Sequence, residues 1–295
     1  MKVYVNGKIV PESGAKLSVF DRAFLYGDGV FETMRSYAGT VFRLDEHINR
    51  LFASAKAIDL KIPLARPQIK NVILRLLKIN RLGDAYIRMA VSRGEGRVGL
   101  DARTAKSSNV VIITKKFTPY PRHLYEKGLS VAISSARANE GSPLSRIKSI
   151  NYLNNIIARI EAQKKGYNDA LLLNNKGEVS SGAVSNIFII RGQKLATPSL
   201  ESGALAGVTR AEIIKIAPRA GLKVKEKRIS ARELMGADEA FFTNTLMEVM
   251  PVTGIGRKKI GNGRVGRYTT AFQDLLQDRI KKEKIYERKS RGRVK

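Results

Sequence analysis

The sequence predicts an α+β protein with two lobes, a small N-terminal one and a larger C-terminal one. A length of 295 residues suits one large domain or two of ordinary size. Strand-like and helix-like patterns follow one another along the whole chain, and Pro119 and Pro121 mark a boundary between lobes. We therefore expect a small α/β domain at residues 1–118, a larger domain at 123–278 and a basic, disordered tail at 279–295.

The N-terminal lobe begins with a predicted hairpin, because VYV and KIV flank the turn-forming pair Asn6-Gly7. After a glycine-rich loop, Val30 to Tyr37 has the pattern of a strand. Asp45 is expected to cap a helix whose apolar residues recur at helical spacing. A second helix and two strands complete the lobe, at about residues 67–80, 85–92 and 110–115.

The C-terminal lobe contains a long predicted helix near residues 151–165, which we expect to bury Leu153, Ile157 and Ile160. A helix is expected from Thr209 to Ala220, and a last helix near 270–281 fraying into the tail. The remaining apolar runs are expected strands, at residues 129–134, 169–173, 186–191, 223–228 and 239–243.

Composition excludes several kinds of chemistry. The chain has no cysteine, which removes disulfides, zinc–thiolate sites, iron–sulfur clusters and cysteine nucleophiles. Its two histidines are too few for a histidine metal cage, so no metal site is expected. The N-terminus lacks a signal-like apolar run and no long apolar stretch occurs, so we expect a soluble, cytoplasmic protein.

A formal net charge of +28 invites a nucleic-acid interpretation, which the pattern does not favour. The segment 279–295 has nine basic and two acidic residues, and the remaining excess is scattered along the chain. No recognition helix, zinc finger or RNA-binding aromatic strand is found. We expect a basic surface suited to anionic metabolites and no specific nucleic-acid partner.

Glycine motifs give one candidate anion site. Two G-x-G-x-x-G strings, at residues 94–99 and 261–266, lack the flanking strand and helix of a dinucleotide site and are interpreted as turns. In AGVTRAE, Thr209 with Glu212 three residues later predicts a capping box. The alternative is that the amides at this helix start bind a phosphate, with the turn at Thr245 as a second contact.

A third cluster, RIKSINYLNN, places Lys148 at a junction between a strand and a helix, with Asn151 and Tyr152 close behind. Here the chain resembles the fold-type IV, class IV aminotransferase family of pyridoxal phosphate enzymes. The family includes branched-chain aminotransferases, D-amino acid aminotransferases and 4-amino-4-deoxychorismate lyases. The resemblance rests on the strings DRAFLYGDGVFETMRSY, FRLDEHINRLFASA, IKSINYLNNIIARIEA, SNIFII, AGVTRAEIIKIA and DEAFFTNTLMEVMPV.

The resemblance implies a two-lobed fold with a barrel-like sheet in the larger lobe, pyridoxal 5'-phosphate as cofactor, and a homodimer. It matches Lys148 to the lysine that forms the Schiff base and moves the α-proton, and Arg50 to the arginine on the cofactor phosphate. It further matches cofactor contacts to Tyr152, Ser181, Val208, Thr209 and Thr245. It implies substrate-lining positions at Tyr26, Phe31, Arg35, Arg93, Arg97, Leu246 and Met247.

One position departs from the family pattern. Ser181, in GEVSSGAVSNIFII, stands where the family usually has a glutamate that pairs with the pyridine nitrogen. A serine would favour a neutral ring nitrogen and a weaker electron sink. Three consequences stay open: slower catalysis, a preference for elimination chemistry, or another residue in the same role.

The resemblance favours an aminotransferase acting on a branched-chain or similar amino acid and a 2-oxo acid such as 2-oxoglutarate. The alternative is a 4-amino-4-deoxychorismate lyase, which the strings N-x-L-M and S-R-G-x-G favour. A D-amino acid aminotransferase and a catalytically impaired cofactor-binding relative are further alternatives.

Overall fold

The computed structural model describes the backbone of residues 1–292 and the side chains of residues 1–287. The chain forms two compact units. The first comprises residues 1–118, Ile147–Asn151 and Ile280–Lys295, and the second comprises Pro119–Arg146 and Tyr152–Arg279. The sequence placed 147–151 in the larger domain, so the segment that carries Lys148 lies in a different unit from the one expected.

A six-stranded antiparallel sheet forms the first unit, in the order β2-β1-β6-β5-β3-β4. Two helices, α2 and α3, cover one face of this sheet and bury its apolar core. The elements are β1 (Lys2–Val5), β2 (Lys8–Pro11), α1 (Arg22–Tyr26), β3 (Gly29–Tyr37), β4 (Thr40–Val41), α2 (Leu44–Lys56), α3 (Arg66–Ile79), β5 (Ala85–Ser92) and β6 (Asn109–Lys116).

The predicted start of α2 is corrected by the structure. The helix begins at Leu44 after Arg43, which has a left-handed backbone and no side-chain cap, and Asp45 lies inside its first turn. Acidic residues there still favour the helix, because they lie at the positive end of its dipole. Along β3, side chains alternate, so Val30 and Met34 join the core while Phe31 lies on the opposite face.

A nine-stranded sheet forms the second unit, in the order β12-β11-β10-β13-β14-β7-β8-β9, with β15 beside β14. The sheet curls, because β9 at one end of this order also contacts β10 and β11 near the other. The barrel-like sheet expected from the resemblance is thereby confirmed. The strands are β7 (Leu129–Ile133), β8 (Asp169–Leu173), β9 (Val179–Gly182), β10 (Asn186–Arg191), β11 (Lys194–Pro198), β12 (Lys223–Lys227), β13 (Glu239–Asn244), β14 (Glu248–Ile255) and β15 (Lys258–Lys259).

Five helices belong to the remainder of the chain: α4 (Arg122–Lys127), α5 (Leu153–Lys164), α6 (Val208–Ile216), α7 (Ala231–Met235) and α8 (Arg267–Gly292). Glu239 caps α8 by accepting the backbone N–H groups of Tyr268 and Thr269. The sequence expected disorder from residue 279, but α8 continues to Gly292; residues 293–295 lie outside the described residues. No described helix has the length and apolar character needed to cross a membrane.

The burial predicted for α5 is wrong. Its side chains Leu153, Ile157 and Ile160 are 68%, 43% and 44% exposed. The face that packs inward consists of the small residues Ala158 and Ala162, which lie against a cluster on β7 and β8. Periodicity identified an apolar stripe correctly, but it could not show that a narrower alanine stripe allows the closest approach to the sheet.

Candidate active site

The segment Ile147–Asn151 is bonded to the beginning of β3 in the first unit. The N–H of Phe31 donates to the Lys148 carbonyl at 2.9 Å, and the N–H of Ile150 donates to the Gly29 carbonyl at 3.0 Å. Val30 and Ser149 form an isolated β-bridge between these bonds. Backbone pairing at Lys148 and at the two residues after it therefore fixes where its side chain leaves the chain.

The amine of Lys148 lies over an aromatic ring, with Nζ 4.5 Å from the ring centroid of Phe31. The pKa of Lys148 is lowered to about 8, chiefly by burial and also by the charges of Arg50 and Arg88, while Glu32 acts in the opposite direction. A lysine with this pKa has a substantial neutral fraction near pH 8, which its ordinary pKa would not allow. The neutral amine is the form that can attack a carbonyl or accept a proton.

A buried carboxylate organises the charges beside Lys148. Glu32 accepts hydrogen bonds from Arg50 at 2.7 Å (Nε to Oε1) and 2.8 Å (Nη2 to Oε2). Nδ1 of His47 lies 2.8 Å from Oε2 of the same carboxylate. Burial raises the pKa of Glu32, but Arg50 and His47 together outweigh it and hold the value at about 2.

Burial lowers the pKa of His47, so its imidazole is neutral and donates through Nδ1 to Glu32. The charge of Arg50 acts on Lys148, and the contact of Arg50 with a cofactor phosphate stays a prediction. The paired carboxylate was not foreseen, although Glu32 was visible as an acidic residue among the apolar residues of a strand that is mostly buried. A charge buried in a strand needs a partner, and this signal could have identified it.

Arg88 on β5 is a second residue that sequence reasoning missed. Its guanidinium carbon lies 3.9 Å from the ring centroid of Phe31. The β3–β5 register pairs Arg88 with Thr33, so strand alternation places it on the face that carries Phe31. The interior position of Arg88 in the apolar run AYIRMAVS was the available signal.

The other predicted residues of the first unit occupy different surroundings. Arg35 stacks on aromatic rings, with its guanidinium carbon 3.8 Å from the Phe117 centroid and 4.4 Å from that of Tyr37. The Tyr26 hydroxyl accepts the N–H of Gly99 at 2.8 Å. The guanidinium of Arg93 is hydrogen-bonded to a carboxylate and two carbonyls, and Arg97 is exposed in the same loop.

In the second unit, helix α6 begins directly after Gly207, and no side-chain hydrogen bond caps its start. The predicted capping box is therefore wrong, since the buried Glu212 instead contacts Lys215 at 3.3 Å and Arg279 at 3.4 Å. A Cβ on Gly207 would come within 2.0 Å of Oδ1 of Asn186, so only glycine fits. An uncapped helix start with such close packing fits an anionic group such as a phosphate.

The turn after β13 is built by Asn244, whose Oδ1 accepts the N–H groups of Leu246 and Met247, each at 2.8 Å. The Met247 side chain is buried in the core of the second unit. Thr245 lies within this turn and is half-buried. The sequence identified the turn but missed the role of Asn244. An asparagine side chain commonly accepts the N–H of the residue two positions later, and this property could have identified it.

Ser181 lies on β9, half-buried and paired with Leu172 of β8. Close by in the chain, the hydroxyl of Ser185 is buried without a hydrogen-bond partner, as is that of Thr243 on β13. Buried unpaired hydroxyls cost free energy, so their retention fits a polar ligand in the second unit. Tyr152 directly precedes α5. Among the described residues, no group of three or more His, Cys, Asp or Glu side chains is placed to hold a metal ion.

A buried lysine amine with a lowered pKa, on which the charge of the half-buried Arg50 acts, fits an enzyme that acts through a lysine. Comparison with known proteins identifies the family. The model of amino-transferase class IV matches residues 29–255. The chain is 42% identical over 279 residues to an inferred branched-chain-amino-acid aminotransferase of Methanocaldococcus jannaschii, covering 94% of this chain and 96% of the relative.

The chain is also 37% identical over 281 residues to the aminodeoxychorismate lyase of Bacillus subtilis, covering 95% of this chain and 94% of the relative. Among solved structures, the branched-chain aminotransferase of the archaeon Thermoproteus uzoniensis with norvaline has a TM-score of 0.90 and 34% identity, covering 97% of each chain. The chain therefore belongs to the class IV aminotransferase family. The expected family and its mixed α and β fold are confirmed.

Proposed function

We propose that this protein is a pyridoxal-phosphate-dependent aminotransferase that moves an amino group between a branched-chain-like amino acid and a 2-oxo acid such as 2-oxoglutarate. The observation that carries the proposal is the lowered pKa of Lys148, at about 8, beside Arg50. The two branched-chain aminotransferases named above support transamination. A cytoplasmic location belongs to the same proposal.

Pyridoxal phosphate, when bound, supplies an aldehyde that links to an amine and a ring that withdraws electrons from the substrate. Lys148 is the residue that would hold the aldehyde. Its neutral Nζ would be the base that takes the proton from the substrate Cα and returns a proton later. Backbone pairing to β3 keeps this amine in place through both steps.

Arg50 is assigned to the cofactor phosphate. Its guanidinium is oriented by two hydrogen bonds to Glu32, which fixes the position of this cation. The uncapped start of α6, with the amides of Val208 and Thr209, is assigned to the same kind of anion. Tyr152, Ser181 and Thr245 remain cofactor contacts that the resemblance proposes.

The surroundings of Phe31 support the choice of substrates. Its ring gives an apolar contact next to Lys148, which suits an aliphatic amino acid side chain. Arg88 lies on the same ring and offers a positive charge, which suits the second carboxylate of a dicarboxylic 2-oxo acid. One site thus presents an apolar surface and a cation, the two chemistries that the proposed substrate pair requires.

A direct test follows amino transfer from 15N-labelled L-leucine to 2-oxoglutarate by mass spectrometry. The wild-type protein with pyridoxal phosphate is expected to form 15N-glutamate, and Lys148→Ala is expected to form at least a thousandfold less. Lys165→Ala, at an exposed lysine on the second unit, is the matched control and should keep full turnover. Turnover by the Lys148→Ala variant would contradict the proposal.

The lyase is the second candidate, because a curated relative of 37% identity carries that activity and because Ser181 replaces the usual glutamate. A weaker electron sink suits elimination better than repeated transamination. Incubation with 4-amino-4-deoxychorismate and detection of pyruvate distinguishes the two. Pyruvate release without amino transfer from any amino acid would replace the aminotransferase by the lyase.

A homodimer is part of the proposal and is supported by the apolar face of α5. Leu153, Ile156, Ile157 and Ile160 are all exposed on one short helix, beyond the scattered apolar residues of an ordinary surface. A second copy of the chain would cover such a face in a symmetric contact. The proposal therefore includes an assembly as well as a reaction.

A further inference from the structure

Asp28 is a charged residue that the proposed reaction does not use. Its Oδ2 accepts a hydrogen bond from Nε of Arg22 at 2.9 Å and from Nε of Arg93 at 2.8 Å. All three side chains are largely buried, at 4% exposure for Arg22, 13% for Arg93 and 16% for Asp28. Burial raises the pKa of Asp28, but the two guanidinium groups outweigh it and lower the pKa overall. One carboxylate therefore serves as the counter-charge of two largely buried guanidinium groups.

The same two arginines use their remaining donors on backbone carbonyls. Arg22 donates to the carbonyls of Gly99 at 2.8 Å and Leu100 at 3.3 Å. Arg93 donates to the carbonyls of Ile58 at 2.6 Å and Asp59 at 2.9 Å, in the turn that follows the end of α2. Through these arginines, Asp28 ties α1, the loop after β5 and the end of α2 to one point.

The residues on either side of Asp28 hold the segment that carries Lys148. The carbonyl of Gly27 accepts from Nδ2 of Asn151 at 2.9 Å, and that of Gly29 accepts from the N–H of Ile150 at 3.0 Å. A Cβ on Gly27 would meet Oδ1 of Asn151 at 2.6 Å, and a Cβ on Gly29 would meet Cδ1 of Ile150 at 2.7 Å. The turn 27–29 is therefore pressed against the lysine segment, with no space for a shift.

We propose that Asp28 is a positioning residue for Lys148. Its carboxylate, held between Arg22 and Arg93, fixes the turn 27–29, and the two glycine carbonyls of that turn fix the Lys148 segment. The importance of Lys148 rests on the proposed function, whereas the coupling between the turn and the segment does not. Replacement by asparagine would keep the size and leave the two arginines without a counter-charge.

The test compares Asp28→Asn with Asp101→Asn in the full-length chain. Asp101 forms the same kind of ion pair with Arg103, but both side chains are exposed, at 47% and 91%, so its loss should matter little. Hydrogen exchange is measured at the amides of Ile150 and Gly99. The second readout is the rate at which protein freed of cofactor regains its visible absorption band when pyridoxal phosphate is added.

Asp28→Asn is expected to speed exchange at both amides by at least tenfold and to slow recovery of the band about tenfold, because small misplacements of a reacting group are costly. In turnover, kcat should fall while KM for the amino acid changes less than twofold. Asp101→Asn should stay within twofold of the wild type in every readout. A folded Asp28→Asn variant with wild-type exchange at Ile150, or with a wild-type recovery rate, would overturn the proposal.

If Asp28→Asn does not fold, Arg93→Lys tests the same coupling with a smaller change. Lysine keeps the positive charge but lacks the planar set of donors of arginine. This variant is expected to shift both readouts in the same direction by a smaller factor, and no shift in either would again overturn the proposal. A wild-type protein that never takes up pyridoxal phosphate would refute the proposed function. The exchange at Ile150 would still decide the role of Asp28.

Discussion

At the scale of single residues, the pKa of Lys148 is the property on which the chemistry depends. Burial and two guanidinium groups favour the neutral amine, whereas the carboxylate of Glu32 favours the protonated one. The value of about 8 is the balance of these effects. Glu32 therefore has two roles, since it also orients Arg50 through a two-point hydrogen bond.

Glu32→Gln removes the charge that holds the proton on Lys148. In the wild type, the rate of pyridoxal phosphate uptake by cofactor-free protein should rise with pH and level off above a midpoint near 8, because the neutral amine reacts. In the variant the midpoint should move to lower pH. Stopped-flow absorbance between pH 6 and 10 measures it, with Asp45→Asn, at an exposed carboxylate on the same helix as Arg50, as control. A midpoint that stays or rises would count against this role of Glu32.

Arg88→Gln tests the assignment of this cation to the substrate. KM for 2-oxoglutarate should rise about tenfold or more, because a charge-assisted hydrogen bond to a carboxylate is lost. KM for the aliphatic 4-methyl-2-oxopentanoate should change much less. Arg75→Gln, at an exposed position on α3, serves as the matched control. Equal increases for both oxo acids would mean that Arg88 supports the site without selecting a substrate.

At the scale of secondary-structure elements, local sequence patterns predicted the helices and strands whose formation depends on residues close together in the chain. The strand β3, the helices α2 and α3 and the boundary near Pro119 could all be predicted from periodicity and turn formers. Contacts between distant parts of the chain could not. The ion pair between Glu32 and Arg50, the position of Arg88 on Phe31 and the membership of Ile147–Asn151 in the first unit depend on register and chain path.

The corrections at helix ends have a similar origin. Thr209 with Glu212 three residues later matches a common capping pattern. At α6, however, Glu212 forms ion pairs with Lys215 and Arg279 instead. The basic segment after residue 279 has a disorder-like composition but continues α8 as helix to Gly292. At α6 the ion pair with the distant Arg279 draws the glutamate away from the helix start, and at α8 continuity with a packed helix keeps the basic segment helical.

Gly207→Ala tests the start of α6 as an anion site. The added methyl group would collide with the side chain of Asn186, whose Nδ2 now donates to the Leu205 carbonyl at 2.8 Å. The dissociation constant for pyridoxamine 5'-phosphate, measured by calorimetry, should rise at least tenfold. Gly141→Ala is the control, because its Cβ would meet only Oδ1 of Asn139 at 3.5 Å. Unchanged binding by a folded Gly207→Ala variant would exclude this helix start from phosphate binding.

Ile157→Glu tests the apolar face of α5 as a contact between two copies. A charge placed among Leu153, Ile156 and Ile160 should convert the dimer to monomer at micromolar concentration, because a buried unpaired charge is costly. Sedimentation velocity measures the change. Gln163→Glu introduces the same charge at an exposed polar position on the same helix and should leave the dimer intact. A wild-type protein that is monomeric, or an Ile157→Glu dimer, would contradict the assignment.

At the scale of the whole molecule, a net charge of +28 coexists with a site that also relies on positive charge. Arg50 and Arg88 beside Lys148 suit a cofactor and substrates that are all anionic, and a basic surface raises the local concentration of such ligands. Membership of the family defines the fold, whereas the reaction depends on the site. Ser181, in place of the usual glutamate, is the reason to assay both transamination and elimination.

The most direct test of the central claim is the visible spectrum of the purified protein with pyridoxal phosphate, followed during addition of L-leucine, L-glutamate or D-alanine. We predict a yellow band that depends on Lys148 and that L-leucine or L-glutamate bleaches to the pyridoxamine form. Recovery of the band on addition of 2-oxoglutarate would complete the transamination cycle. A band that every amino acid leaves unchanged, or no band at all, would contradict the account.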